Sequence, residues 1–119
     1  MQWKVELHEE FREEFLQFSE DVQDSIVEKA NVLKVFGIQL GRPLVDTLNG
    51  SNFVNMKELR FNVNNEVWRI AFAFDRERKA ILLVGGDKRG RNQKKFYNQL
   101  IKVADKRFLE HMNNLEKGK

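Results

Sequence analysis

The residues best placed to do chemistry in this chain are two arginines, Arg60 and Arg69. The apolar run Val54 to Val63 is followed by Asn64-Asn65, a residue pair that tolerates the positive φ of a two-residue hairpin turn. With those two at the turn, Leu59 faces Ile70, Phe61 faces Trp68, and Arg60 lies directly opposite Arg69. A second turn at Glu77-Arg78 pairs Phe72 with Leu83 and Phe74 with Ile81, and sets Lys88 opposite Val67, diagonal to Arg69. Both registers gather large apolar side chains on one face, as a half-buried sheet requires. Like charges directly opposed across strands destabilise a sheet by roughly 0.2–1 kcal/mol. An anion held between the guanidiniums would relieve that repulsion, and the planar fork of arginine suits phosphate. The competing arrangement is that Glu58 or another acid neutralises the pair.

The strand Ala80 to Val84 runs into Gly85-Gly86-Asp87-Lys88-Arg89-Gly90-Arg91, a basic segment whose glycines would let a ligand approach the backbone. It has neither the spacing nor the Lys-Ser/Thr pair of a nucleotide-binding P-loop. A long helix is expected from about Gln93 to Leu115, burying Phe96, Leu100, Val103, Ala104, Phe108, Met112 and Leu115. Lys94 and Lys95 then occupy its first turn, where the helix dipole disfavours cations. Together with Arg89 and Arg91 they are candidates for contact with phosphate. Tyr97, the one tyrosine, lies a turn further along; it serves either the basic site or the helix–sheet interface.

The elements that must position these residues follow from the pattern upstream. Residues 3–7 alternate apolar and polar and predict a short strand. From Glu9 the spacing of Phe11, Phe15 and Phe18 becomes helical. Ser19 can cap a second helix, with Glu20 and Asp21 in its first turn, a stripe of Val22, Ile26, Ala30 and Leu33, and Gly37 as its stop. The two helices predict an antiparallel hairpin with acidic faces toward water. Segment 37–53, containing Gly37, Gly41, the single proline and Asn49-Gly50, reads as a connection. The fold class is therefore α+β: two N-terminal helices on a twisted, mainly antiparallel four-stranded sheet, then a long C-terminal helix.

With 119 residues, the chain suits one domain, 1–119, at the usual roughly 100–200 residues per domain. Ten phenylalanines and two tryptophans supply a core and argue against global disorder. The absence of cysteine excludes disulfides, thiolate zinc sites and cysteine nucleophiles. His8 and His111 are far apart in sequence, so no metal or other cofactor is expected. No apolar run reaches membrane-spanning length, and the acidic N-terminus lacks a signal peptide's pattern. A cytoplasmic protein without membrane contact is expected. The net charge of +3 conceals an asymmetry: residues 1–30 carry 9 acidic and 3 basic side chains, residues 76–107 carry 11 basic and 3 acidic ones. Such a basic block attracts polyanions.

In order and spacing, Lys57-Glu58-Leu59-Arg60, Trp68-Arg69-Ile70-Ala71-Phe72, Ile81 through Lys88, Phe96-Tyr97 and Ala104-Asp105 resemble the RelE/ParE superfamily of type II toxins. The resemblance is to its HigB-like, phage-derived branch, from about Phe11 to Met112 and including Leu40-Gly41-Arg42-Pro43-Leu44. It implies an endoribonuclease, an mRNA interferase that cuts message on the translating ribosome and thereby inhibits translation. It also implies a HigA-like helix-turn-helix antitoxin, expected from the adjacent gene. Carried onto this sequence, the family's basic cleft falls on Lys57, Arg60, Arg69 and Lys88, with Tyr97 beside them. The sheet register, however, puts Lys57 on the apolar face. Arg60 and Arg69 would hold the scissile phosphate, and Lys88, crowded by cations, would move a proton. Two other functions fit the same basic face: a ParE-like inhibitor of gyrase that cuts nothing, and a non-catalytic nucleic-acid-binding module.

Overall fold

The computed structural model describes residues 2–118. Five strands, β1 (Lys4–Leu7), β2 (Val45–Thr47), β3 (Lys57–Val63), β4 (Glu66–Phe74) and β5 (Lys79–Asp87), form one mixed sheet in the order β1-β5-β4-β3-β2. Only β1 pairs in parallel, with β5; the other neighbours are antiparallel. Helices α1 (Glu9–Phe15) and α2 (Glu20–Phe36) cover one face and α3 (Gln93–Lys117) the other. The α+β class holds, with five strands where four were expected. The extra strand, β2, is three residues long and lies in the segment read as a connection. Its backbone is ordered by β3, Val45 opposite Leu59 and Thr47 opposite Lys57, so no period of its own marks it.

Each helix starts where a side chain can satisfy its free N–H groups. The His8 ring nitrogen accepts from Glu10 N at 3.2 Å, Ser19 Oγ from Val22 N at 3.3 Å, and Asn92 Oδ1 from Lys95 N at 3.0 Å. Gly37 ends α2 at φ +55°, where a Cβ would fall 1.9 Å from the Trp3 indole nitrogen. Both reasons require glycine there. Val22, Ile26 and Leu33 of α2 pack with Leu59, Phe61, Trp68, Ile70 and Phe72 in one core. Phe96, Leu100, Ala104 and Phe108 of α3 pack on Ala71, Ala73, Ile81 and Leu83 in a second. The sheet is thus buried on both faces rather than on one.

The β3–β4 register is the expected one, with Asn64 and Asn65 at φ 50° and 66°. The β4–β5 register is not. Phe72 opposes Leu82 and Phe74 opposes Ala80, whereas Ala71 opposes Val84, so Leu83 is an extra residue bulged out of the ladder. The turn takes three residues, not two. Asp75 accepts from Glu77 N and Lys79 N at 2.8 and 3.0 Å, and Arg78 adopts φ 64°. Leu83 and Ile81 consequently face α3, away from Phe72. Beyond the bulge the expected pairing returns, and Lys88 N donates to Val67 O at 2.8 Å.

Arg107 of α3 secures the bulge. Its Nη1 donates to Leu83 O at 2.8 Å, and the guanidinium grips Glu14 of α1 at 2.8 and 2.5 Å. The acidic side of α1 is therefore not wholly given to water. Arg107 is 7% exposed, so truncation strands a buried carbonyl and an acidic partner. Charge-assisted hydrogen bonds contribute about 1.5–3 kcal/mol each at the most favourable, and Glu14 can rehydrate. Arg107→Ala is expected to destabilise the fold by about 2–3 kcal/mol, read as a lower urea midpoint at unchanged m-value. Among the described residues no helix is long and apolar enough to cross a membrane.

Candidate functional site: an arginine pair beside a tyrosine and a lysine

Arg60 and Arg69 are direct cross-strand partners, and pairing puts them on the α3-facing side with Glu58 and Ala71. Arg69 is 6% exposed and Glu58 5%. Glu58 stands between the guanidiniums, 3.8 Å from Arg60 and 3.9 Å from Arg69. Arg60 also donates to Asp46 of β2 at 3.3 Å. The repulsion expected of an unshielded pair is therefore met from within the protein, and a guest anion is not needed to explain the arrangement. What the carboxylates leave is a fixed array with a surplus of positive charge. Three cations, Arg60, Arg69 and Lys88, face two carboxylates.

Tyr97, from the second turn of α3, completes the array. Its hydroxyl donates to Glu58 Oε1 at 2.9 Å and accepts from Arg69 Nε at 3.3 Å. Arg69 Nη1 is further held by Trp68 O at 2.9 Å. Burial, and next the hydrogen bond to Glu58, push the tyrosine's pKa above its ordinary value, which keeps it a hydroxyl donor at neutral pH. Lys88 Nζ lies 5.7 Å from the Tyr97 ring centre and 3.4 Å from Gln93 Oε1. Burial first, then Arg69 and Arg60, lower its pKa from the usual lysine value against a weaker pull from Glu58. A lysine so placed gives up its proton more readily than a free one. A cleft of about 210 Å³ opens between Pro43 and the two arginines, walled by Phe61 and Asn62.

The structure thus assembles Arg60, Arg69, Lys88 and Tyr97, and disperses the other basic candidates. Lys57 shares its strand face with Leu59 and Phe61, on the α2 side, and does not join the cluster. Arg89 Nη1 donates to Asn65 O at 2.8 Å and braces the β3–β4 hairpin. The Arg91 guanidinium lies 5.0 Å over the Phe96 ring. Lys94 lines a separate groove next to Tyr97, and Lys95 is exposed on the first turn. Gly86, read as room for a ligand, leaves space for the protein's own Phe96, 3.3 Å from where a Cβ would sit. By sequence, Glu58 stands out as a counter-charge to the arginines. Its alternation with Arg60 was the signal that it belongs to the same face.

The histidines lie elsewhere. His111 Nε2 is 2.7 Å from Asp75, and donor atoms of His8, Glu10 and Glu110 lie within 4.8 Å of one another. As a metal site this triad is poor. The His8 ring spends a lone pair capping α1, burial lowers its pKa and keeps it neutral, and its remaining nitrogen then carries the proton. Arg107 sits 3.6 Å from Glu10 besides.

Residues 13–109 match the family described as phage-derived protein Gp49-like. The chain is 46% identical over 93 residues to the Mycobacterium tuberculosis H37Rv protein named as toxin HigB3, an alignment covering 78% of this chain and 79% of that one. It is 49% identical over 90 residues to the protein named as toxin HigB2 of the same organism, covering 74% of this chain but 44% of the relative. The fold is similar to that of a double-arginine variant of the E. coli toxin RelE in the free state, with a TM-score of 0.58 at 12% identity, covering 86% of this chain and 97% of that one. At that identity the likeness speaks for the fold alone. The chain belongs to the phage-derived Gp49-like family, among the HigB-type toxins of toxin–antitoxin systems, and has a RelE-like fold.

Proposed function

We propose that this protein is a ribosome-dependent mRNA endoribonuclease, checked by a HigA-type antitoxin. The observation that carries the proposal is the cleft lined by Arg60 and Arg69, with the Tyr97 hydroxyl bonded to Arg69 and Lys88 over the Tyr97 ring. RNA can be cut by its own 2′-hydroxyl: the O2′–P bond forms as that hydroxyl gives its proton to water, the P–O5′ bond breaks, and a second proton passes to the departing 5′-oxygen. Arg60 and Arg69 bind the scissile phosphate and stabilise the charge that builds on its non-bridging oxygens. Lys88 supplies the proton to the 5′-oxygen. Glu58 is a positioning residue, holding the arginines apart and the Tyr97 hydroxyl in place. Tyr97 presents its ring to a base, while its hydroxyl, held between Glu58 and Arg69, keeps Arg69 aimed.

Dependence on the ribosome follows from what the array lacks. His111 and His8 are engaged outside it, so no group with an unperturbed pKa near 7 takes the 2′-hydroxyl proton. Cleavage then rests on alignment of the nucleophile with the phosphate, which a ribosome-held codon provides. An antitoxin silences such a site by covering the cationic cleft with an acidic segment. Mapping mRNA 5′ ends after expression without antitoxin tests the proposal. New ends at positions in register with codons are expected. Intact mRNA with arrested DNA supercoiling would instead assign the protein to the gyrase-directed branch.

A further inference from the structure

The groove that carries Lys94 has a composition the catalytic array does not require. It holds about 680 Å³ between the β2–β3 loop and the first turns of α3. Three carboxamides, Asn49, Gln93 and Asn98, line it with two lysines, Lys94 and Lys102; Ile101 and Tyr97 give it an apolar wall, and among the described residues no carboxylate lines it. The loop side is tied to α3 by hydrogen bonds. Asp105 of α3 accepts from Ser51 Oγ at 2.5 Å and from Asn52 N at 2.9 Å, and Ser51 Oγ in turn accepts from Phe53 N at 2.9 Å. Gly50, at φ +99°, lies against Ile101, with the Cδ1 atom 3.5 Å from the Cβ position. Tyr97 belongs to both features: it lines the groove, and its hydroxyl bonds Arg69 and Glu58.

Carboxamides present an adjacent donor and acceptor, the pattern needed to pair with the edge of an unstacked base. Apolar and aromatic walls stack its face, and an ammonium meets the neighbouring phosphate. A mobile rim would accept any base; a loop pinned by Asp105 can discriminate. We infer that this groove binds one base of the message next to the scissile phosphate and sets the sequence preference of cleavage, with Asn98 and Asn49 as the reading residues. The inference rests on the nuclease reading for its biological meaning, though not for its chemistry.

Asn98→Ala and Asn49→Ala test it. Both residues are exposed, and alanine favours the helix at 98. The readout is a ratio, so a fall in overall rate does not obscure it. In 5′-end maps, the preference between best and worst base at one position is expected to drop by roughly tenfold, the scale of one lost bidentate base contact. Binding of 2′-O-methyl tetranucleotides that differ at one position, followed by fluorescence anisotropy, should show the same collapse. Unchanged preference in both variants overturns the inference. So does unchanged preference with weakened co-sedimentation on ribosomes, which would place a ribosomal RNA base in the groove. Base-dependent oligonucleotide binding that Asn98→Ala abolishes, in a protein that cuts no mRNA, would uphold the groove and defeat the nuclease reading. Absence of base-dependent binding and of cleavage would defeat both.

Discussion

Alanine in place of Arg69 is expected to reduce ribosome-dependent cleavage by about 100- to 1,000-fold, the loss that follows removal of one preorganised donor to a developing oxyanion. Arg69 is the better-fixed of the two guanidiniums. Trp68 O and the Tyr97 hydroxyl hold it at 2.9 and 3.3 Å, and only 6% of it is exposed. A donor already in place costs no reorganisation when charge builds on the phosphate, so its removal falls on the transition state more than on binding. The same burial gives the variant a second defect, because Glu58 is left with less compensation for its charge. The double variant Arg69→Ala with Glu58→Gln separates the two. It removes the stranded charge, and thermal stability is expected to recover relative to Arg69→Ala while cleavage stays low. Reconstituted translation with primer extension gives the rate, and thermal melting gives the stability. Arg69→Ala cleaving at the wild-type rate would take Arg69 out of the chemistry altogether.

How much of this site the sequence discloses depends on which residues carry local information. The Asn64-Asn65 turn allows one hairpin register, and that register places Arg60 against Arg69 before any tertiary contact is known. Such a turn is self-sufficient: its positive φ angles are intrinsic preferences of asparagine. The following hairpin has no such signal. Arg78 takes φ 64° because Asp75 secures the turn, and the bulge at Leu83 is held by Arg107, 24 residues later. A two-residue turn is the simpler reading of that segment, and it misplaces every pair between the turn and the bulge. The same slip hides the burial of both faces, since it puts Ile81 and Leu83 on one face with Phe72 and Phe74.

Charge was legible in amount but not in partnership. The basic surplus of residues 76–107 is visible by counting, yet its members part company in space. Lys88 turns toward Tyr97, Arg89 toward the Asn65 carbonyl, and Arg91 over Phe96. Asp46 could not be foreseen at Arg60, because it arrives on a three-residue strand that exists only through its pairing with β3. The groove at Asn49 and Asn98 is further out of reach. It is made by Asp105 drawing a loop across more than fifty residues of sequence.

Arginine in place of Lys88 is expected to cost about 100- to 10,000-fold in the chemical step, the range over which a positioned general acid contributes. The substitution keeps the positive charge and removes the transferable proton, because a guanidinium does not deprotonate in this pH range. Lys88→Met removes both, so the gap between the two variants measures the electrostatic share alone. The pH profile supplies the sign. Burial, then Arg69 and Arg60, lower the lysine's pKa, and a general acid is active only while protonated. The wild-type rate should therefore decline as pH rises through that lowered pKa, on the acid side of where a free lysine would titrate. In Lys88→Arg the residual rate should lose this limb, whereas Arg69→Ala should shift it to higher pH by removing a repelling cation. Full activity in Lys88→Arg, with the alkaline limb intact, would show that Lys88 contributes charge only. The proton would then reach the 5′-oxygen from water or from the ribosome, and Tyr97, already held as a hydroxyl donor, would be the next group to replace.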